Sequence, residues 1–365
     1  MLRVRNFFDK MNSADLIELI RRLMECPAAP YHEFAVRSAI ESIAQEHGLC
    51  HGFDRFGNLI IKTGTIGRPI VLAAHMDHPG FVIKDRLDAT SWSAEFLGGV
   101  PDKYFVPGIP LRIFPNSIAC RLGAILDPER RVYKIEIGSE VKEASFAVWD
   151  LPCFTVRDSL ILGRACDDLI GVAAALATLI ELKRRDVTQQ VYAVFTRAEE
   201  VGFGGAIAAA KHRIIPDDSF VISLETSREL PPVTIGQGVI VRIGDKASVF
   251  DSAGTRYLTE ISSKLLAANS GFQFQKALMS GGTCEATAYQ EYGYTSAALC
   301  VALGNYHNCS SEKIDEEFVH QHDVETMVSL LVEASIEFSN FSYWTNKLRV
   351  RLDELSLQTE PRLIV

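Results

Sequence analysis

The stretch RPIVLAAHMDHPGF, residues 68–81, begins with residues that favour a β-strand and ends with two histidines, an aspartate and Pro-Gly. Burying charges without partners is costly, so a strand that served only a core would not end in this way. In an open α/β sheet, ligands bind at the carboxyl ends of strands. The stretch therefore predicts a strand of an α/β sheet with a polar site at its end.

Outward from this stretch, helix-like and strand-like segments alternate. Apolar residues recur at helical spacing in several segments and form short β-like runs between them. The helices are predicted at 12–26, 32–48, 168–185, 204–213, 257–269 and 323–338, and the strands at 58–64, 69–75, 189–196 and 219–225. This alternation predicts an α/β fold with a mostly parallel mixed sheet flanked by helices.

The pattern changes between Lys84 and Leu162. Six of the fourteen prolines lie there, among short β-like runs such as LRIFP, RVYKIEI and FAVWDL. Dense turns between short strands indicate a small barrel or sandwich. We therefore expect a discontinuous catalytic α/β domain at 1–83 and 163–340, an inserted β-barrel-like domain at 84–162, and a C-terminal extension of unknown role at 341–365.

Composition excludes several classes of protein. The 365 residues carry a formal net charge of −9, whereas a nucleic-acid-binding protein needs a basic surface. The longest apolar helical run, residues 170–182, is too short to span a bilayer. The N-terminus has no signal-peptide pattern, and the eight cysteines are scattered without a CxxC pair. We expect a cytoplasmic protein with reduced thiols and neither nucleic-acid nor membrane partners.

Four further places put polar groups at the edge of an apolar element. They are Asp167 and Asp168 before a long apolar helix, Glu199 and Glu200 after a strand, Glu225 at a strand end, and His307 in the segment VALGNYHNCS. Each alone has a structural explanation, such as a helix N-cap or a solvated loop. Together with His75 they form a mixed nitrogen and oxygen set suited to zinc, cobalt or manganese.

Two spacings within this set are informative. In a strand, His75 and Asp77 point to the same side, so Asp77 can accept the second ring N–H of His75 and fix the tautomer that binds a metal. Glu199 and Glu200 face apart on an extended loop. One can therefore hold a metal while the other faces the substrate as a general base.

The ordered motifs HMD (75–77), CDDLIGV (166–172), AEEVGFGGA (198–206), a strand-end acid and YHN (306–308) resemble the co-catalytic dinuclear metallopeptidases. The β-rich insert falls between Asp77 and Asp167 rather than between Glu225 and His307. The chain therefore resembles the tetrahedral aminopeptidases, which include glutamyl and deblocking aminopeptidases, from about Ala14 to Phe338.

The resemblance implies an aminopeptidase that hydrolyses N-terminal residues of short peptides. It implies two divalent metal ions per chain, zinc foremost with cobalt or manganese as alternatives, and a homo-oligomer, by resemblance a dodecamer assembled partly through the insert. It assigns Glu199 as general base, Asp77 as the partner of a ligand, and a set of metal ligands comprising His75, Asp167, Glu200, Glu225 and His307.

The sequence departs from the family pattern in several places. Glu225 stands where the family usually has aspartate, and His78 is an additional imidazole near the metals. GGTDA reads GGTCEA, with Cys284 at the aspartate position, so Glu285 becomes the candidate to receive the substrate's α-amine, with a purely structural acid as the alternative. ALDNR reads ACDDL. These changes concern substrate preference more than metal binding.

Two other functions stay open. One is a related dinuclear amidohydrolase, an N-acyl amino acid deacylase or a carboxypeptidase, against which the position of the insert argues. The other is a degenerate scaffold that binds metal or peptide without catalysis, which the intact ligand set and Glu199 disfavour. Hydrolysis of free-amine against blocked peptides would distinguish them.

Overall fold

The computed structural model describes residues 12–364. Residues 1–11 and 365 lie outside the described residues. The predicted catalytic domain and C-terminal extension include them, and residues 1–11 make up most of the N-terminal stretch that was compared with a signal-peptide pattern. No helix within the described range is long and apolar enough to cross a membrane.

The first part of the chain supplies two helices, three of the eight strands of the main sheet and a β-rich region. Its elements are α1 (Ser13–Met24), α2 (Phe34–Glu46), β1 (Cys50–Phe53), β2 (Leu59–Thr63), β3 (Ile66–His75), β4 (Gly80–Arg86), β5 (Ser91–Leu97), β6 (Pro110–Phe114), β7 (Ile118–Asp127), β8 (Val132–Ile137), β9 (Phe146–Trp149), β10 (Thr155–Arg157) and β11 (Leu160–Gly163).

The second part returns to alternating helices and strands. Its elements are α3 (Leu169–Arg184), β12 (Gln189–Thr196), α4 (Gly204–Lys211), β13 (Phe220–Arg228), β14 (Val239–Gly244), α5 (Ser252–Ala268), β15 (Phe274–Leu278), α6 (Glu285–Glu291), β16 (Thr295–Leu303), β17 (Glu317–His320), α7 (Gln321–Ile336) and α8 (Phe341–Thr359). The helices and strands predicted from sequence spacing lie within one to several residues of these bounds, apart from the longer α5.

Eight strands form one mixed sheet in the order β1-β2-β12-β3-β13-β16-β14-β15. The four central strands, β12, β3, β13 and β16, run parallel, while antiparallel pairs lie toward both sides of them. The prediction of a mostly parallel mixed α/β sheet flanked by helices is confirmed. Because the central strands are parallel, their carboxyl ends meet at one edge, where the sequence predicts the site.

Helices cover both faces of this sheet. On one face α3 is buried from Leu169 to Leu182 because it packs against the sheet and against α1 and α7. On the other face α4 and α6 pack alanines and Tyr289 onto Val71 and Val194. The small side chains of α4 let its backbone approach the strands closely. Both faces of the central strands are therefore dry, which explains their continuous apolar runs.

Six strands, in the order β4-β5-β8-β7-β6-β9, close into a barrel with its own apolar core around Phe81 and Trp149. These strands span Gly80–Trp149. Two short strands outside the barrel, β10 and β11, pair with each other, and β11 also pairs with β17 in a small three-stranded sheet. The division of the chain into domains at 84 and 162 stays a prediction.

Candidate active site

The predicted site residues converge at the carboxyl edge of the central strands. His75 is the last residue of β3, and Glu199 and Glu200 follow β12. Glu225 lies near the end of β13, and His307 lies in a 3₁₀ turn, Tyr306–Asn308, just after β16.

Asp167 is not part of the sheet and lies immediately before α3. Its neighbour Asp168 is the N-cap of that helix and accepts a hydrogen bond from the Gly171 N–H at 3.1 Å. Asp168 therefore caps the helix, and the Asp167 side chain faces the site.

Asp167 lies between the two imidazoles. Its Oδ1 atom is 3.4 Å from His75 Nε2, and its Oδ2 atom is 3.4 Å from His307 Nε2. Glu225 Oε2 is 3.9 Å from His75 Nε2, whereas Glu200 Oε2 is 3.4 Å from His307 Nε2. One carboxylate is therefore shared by two sets of donors, each with one histidine and one further acid.

Backbone carbonyls fix the orientation of both imidazoles. His75 Nδ1 is 3.0 Å from the Asp77 carbonyl oxygen, and His307 Nδ1 is 3.0 Å from that of Gly99, which lies between β5 and β6. A carbonyl can only accept, so Nδ1 of each ring donates, and Nε2 of each ring is the nitrogen that faces the shared carboxylate. The barrel region thus helps to orient one of the two histidines.

The Asp77 carboxylate has a different partner from the predicted one. Its Oδ1 atom is 3.6 Å from His75 Nδ1, too far for a hydrogen bond, since the backbone carbonyl of Asp77 takes that position. The carboxylate oxygens instead accept hydrogen bonds from the backbone N–H groups of Glu199, at 2.9 Å, and Glu200, at 3.1 Å. Asp77 therefore holds the loop that carries the glutamate pair.

Burial and crowding of carboxylates dominate the electrostatics. Burial, together with neighbouring carboxylates, raises the pKa of Glu199 and Glu200 well above the usual range and that of Glu225 to about 8. Burial alone would lower the pKa of His75, but the surrounding carboxylates, Glu199 foremost, outweigh it and raise this pKa. Burial would raise the pKa of Asp167, yet His307 and His75 hold it below the ordinary value.

This arrangement fits divalent cations. Asp167 Oδ1, Glu200 Oε1 and Glu225 Oε1 are buried without a hydrogen-bond partner in the described part of the chain. The possible ligand atoms of the site form three groups, and the atoms of each group lie within 4.8 Å of one another. The groups are His75 with Asp167 and Glu225, Asp167 with Glu200 and His307, and His75 with Glu199 and Glu200. Buried carboxylates without partners are costly, and cations placed among them would remove that cost.

Glu317 is a neighbour of the site that the sequence analysis missed. It is fully buried, and its Oε2 atom accepts hydrogen bonds from the backbone N–H groups of Cys166, at 2.8 Å, and Asp167, at 3.1 Å. It thereby fixes the backbone that presents the shared carboxylate. The segment IDEEFVH gave no signal of this role, because β17 is brought to the site by pairing with β11, a strand distant in sequence.

His78 lies beside the site without joining a donor group. Its Nδ1 atom is 2.7 Å from the Asp167 carbonyl oxygen, and its Nε2 atom is 3.0 Å from Asn308 Oδ1. Burial lowers the pKa of this imidazole to about 4. One ring nitrogen of His78 thus contacts the backbone carbonyl of Asp167, and the other contacts the side chain of Asn308, next to His307. His78 therefore connects these two segments.

Cys284 and Glu285 begin α6 behind the glutamate loop. Cys284 is buried, and burial raises the pKa of its thiol. Glu285 is 1% exposed, accepts a hydrogen bond from Thr196 Oγ1 at 2.5 Å, and leaves its Oε2 atom without a partner among residues 12–364. Burial raises the pKa of this carboxyl to about 7. Glu285 belongs to none of the three donor groups, and its enclosure favours a structural role.

A small cavity adjoins Glu225 and has a cationic wall. Arg242 lines it, is 3% exposed, and leaves its Nε atom without a hydrogen-bond partner within the described range. Arg228, whose guanidinium lies 5.1 Å from the Tyr306 ring centroid, also lines the cavity, next to the backbone of 281–283. This wall could receive an acidic group of a ligand held at the strand ends.

The chain is similar to aminopeptidases along most of its length. A protein of Acetivibrio thermocellus described as a putative aminopeptidase is 26% identical over 348 residues, which cover 89% of this chain and 99% of the relative. A solved structure of PhTET1-12s, described as a dodecamer, is 25% identical over 88% of this chain and 99% of its own, with a TM-score of 0.75. The Pyrococcus horikoshii TET1 peptidase, described as assembling into a tetrahedron or a large octahedral shell, shares the fold at 23% identity, 88% and 99% coverage and a TM-score of 0.74.

Residues 133–330, more than half of the chain, match the family described as M42 glutamyl aminopeptidase. The resemblance found in the sequence motifs is therefore confirmed. The family and the Acetivibrio thermocellus relative are both described as aminopeptidases. The chain belongs to the M42 glutamyl aminopeptidase family and is a peptide hydrolase.

Proposed function

We propose that this peptidase is a metal-dependent aminopeptidase that removes N-terminal residues from short peptides at a binuclear centre. The observation that carries the proposal is Asp167, whose two oxygens face His75 Nε2 and His307 Nε2 at 3.4 Å each. Two divalent cations, zinc foremost, would activate the attacking water and polarise the scissile carbonyl there when bound.

Each side chain then has a separate task. His75 with Glu225, and His307 with Glu200, are the proposed ligands on either side of Asp167. Glu199 is the proposed general base, which takes a proton from the attacking water and passes it to the leaving amine. Side-chain exposure supports this division, because the Glu199 side chain is 11% exposed, whereas that of Glu200 is 4% exposed and its Oε2 atom lies 3.4 Å from His307 Nε2.

The cavity next to Glu225 indicates which N-terminal side chain is preferred. A buried guanidinium with an unpaired N–H, such as that of Arg242, gains most from a carboxylate partner, since charge-assisted hydrogen bonds are the strongest. We therefore expect glutamyl and aspartyl residues to be favoured at this position. Glu285 stays the candidate for the substrate's α-amine, although its burial favours a structural role.

The proposed assembly is a homo-oligomer, by likeness to the dodecameric PhTET1-12s structure.

The eight cysteines all lie within the described residues and are free. Free thiols support the proposed cytoplasmic location, because disulfides form in oxidising compartments.

The test is a panel of amino-acyl anilides with metal-free protein reloaded with zinc, cobalt or manganese. Each substrate is offered with a free and with an acetylated α-amine. We expect metal-dependent hydrolysis of free-amine substrates, with glutamyl and aspartyl anilides preferred. Release of acetate from the acetylated series, with the anilide bond left intact in both series, would instead indicate the related deacylase. Absence of hydrolysis by metal-loaded, folded protein on both series would contradict the proposed aminopeptidase activity.

A further inference from the structure

The C-terminal helix α8 leaves the rest of the molecule after its first two turns. Phe341 packs against the aromatic rings of Phe220 and Tyr257, and Lys347 forms an ion pair with Glu260 at 3.0 Å. From Leu348 to the end of the helix every residue is exposed except Ser356, which is partly buried. The helix is therefore anchored at its start and projects into solvent.

One face of α8 is apolar along this projecting part. Leu348, Leu352 and Leu355 are 46%, 52% and 45% exposed, and their spacing of four and three residues places them on one side of the helix. The same spacing, continued backwards, reaches Thr345 and Phe341, which face the molecule. The stripe that anchors the helix thus continues uncovered, in the pattern of a coiled-coil seam.

The charges of α8 are divided between its halves. Lys347, Arg349 and Arg351 precede Leu352, whereas Asp353 and Glu354 follow it. Arg349 pairs with Asp353 inside the helix, but both side chains are more than half exposed and such pairs are weak. Arg351 and Glu354 form no ion pair with any described residue. A basic half and an acidic half complement each other when two such helices run antiparallel, and repel when they run parallel.

We propose that α8 docks on α8 of a second copy of this chain, antiparallel, with the two-fold axis near Leu352. Leu348 of one copy then packs against Leu355 of the other, and Arg349 and Arg351 face the partner's acidic half. This surface lies outside the region that matches the peptidase family, residues 133–330. The proposal does not rest on the proposed function, because it concerns a contact remote from the candidate ligands.

The first test compares two lysine substitutions in the full chain. Leu352→Lys places a charge at the seam, whereas Val350→Lys changes a residue of similar exposure, 55% against 52%, about 160° around the same helix. Sedimentation velocity over a range of concentrations should show at least a tenfold rise in the concentration needed for assembly with Leu352→Lys and no change with Val350→Lys. Equal behaviour of the two variants would overturn the proposal, as would a wild-type chain that stays monomeric.

The second test fixes the direction of the helices by disulfide formation. Under mild oxidation, Leu352→Cys should give a covalent dimer, and Val350→Cys should not, with the unmodified chain as control for the exposed native Cys50. In the antiparallel pair, residues 348 of the two copies are offset by about 12 Å along the axis. Leu348→Cys alone should therefore fail to crosslink, whereas a mixture of Leu348→Cys and Leu355→Cys should give the mixed dimer. Self-crosslinking at 348, or none at 352, would overturn the proposal.

Discussion

The Asp77 carboxylate accepts a hydrogen bond from the backbone N–H of Glu199 at 2.9 Å, and the adjacent N–H of Glu200 binds the other oxygen of the same carboxylate at 3.1 Å. The residue two positions beyond the end of β3 therefore sets the conformation of the loop that follows β12. With the backbone held in this way, the two glutamate side chains can have different partners although they are neighbours.

Glu199→Gln should keep its metal and lose activity. An amide cannot take a proton from the attacking water, so the rate should fall by about 10²- to 10⁴-fold. Glu200→Gln removes an anionic donor next to His307 and should lower metal content first. Elemental analysis and steady-state kinetics on both variants check this. If Glu199→Gln lost metal while Glu200→Gln stayed loaded and inactive, the two roles would be reversed.

Asp77→Asn should lower activity by about 10- to 100-fold, because one of the two backbone N–H groups of the glutamate loop loses its acceptor. Metal content should fall less than in Glu200→Gln, since His75 is held by a carbonyl. Asp323→Asn is the matched control, because Asp323 also accepts two backbone N–H groups, from Gly236 and Gly238. The control should lose thermal stability but keep its activity per folded molecule. An active, fully loaded Asp77→Asn would show that the loop does not depend on this carboxylate.

Metal binding near neutral pH should release protons. Burial raises the pKa of Glu225 to about 8, so this carboxyl is largely protonated in the metal-free protein at pH 7 and must ionise to bind a cation. Calorimetric titration with zinc in two buffers of different ionisation enthalpy measures the number of protons released. An observed enthalpy independent of the buffer would contradict the expectation.

Two buried glutamates predict how the stability of the metal-free protein depends on pH. Glu225 and Glu285, with pKa values raised to about 8 and about 7, hold protons in the folded metal-free protein that the unfolded chain has already lost above about pH 4.5. Their contribution to the free energy of unfolding is thus fully present below pH 4.5 and is lost as pH rises toward 8. The rise in Tm on adding metal to chelator-treated protein should be larger at pH 8 than at pH 5.5. Thermal scans at both pH values provide the check.

Glu285→Gln separates amine recognition from support of the site. If Glu285 receives the α-amine, KM for free-amine substrates should rise while kcat and metal content change little. If it only positions Thr196, through the 2.5 Å hydrogen bond, the amide oxygen of Gln can still accept that bond, so KM and Tm should both change little. Thr196→Val, which removes this hydrogen bond and keeps the carboxylate, is the control: it should lower Tm, and its KM for free-amine substrates should stay below that of Glu285→Gln if Glu285 receives the α-amine.

The sequence determined the fold class and the identities of the residues at the strand ends. Apolar periodicity is a local property, and polar residues that follow apolar runs, such as His75 and Glu199, are visible without knowledge of contacts. The order of the motifs further indicated the family, because the position of the β-rich insert between Asp77 and Asp167 is a matter of chain order alone.

Only the tertiary structure decided which partner each side chain has. The Asp77 carboxylate binds the Glu199–Glu200 loop rather than the His75 ring, because parallel pairing of β3 and β12 brings these strand ends together. Glu317 supports Asp167 from 150 residues away in the chain. The exposed stripe of α8 likewise depends on where the helix leaves the molecule. Tertiary packing determines which distant segments form hydrogen bonds and where a packed surface ends. The pattern of neighbouring residues in the sequence does not contain this information.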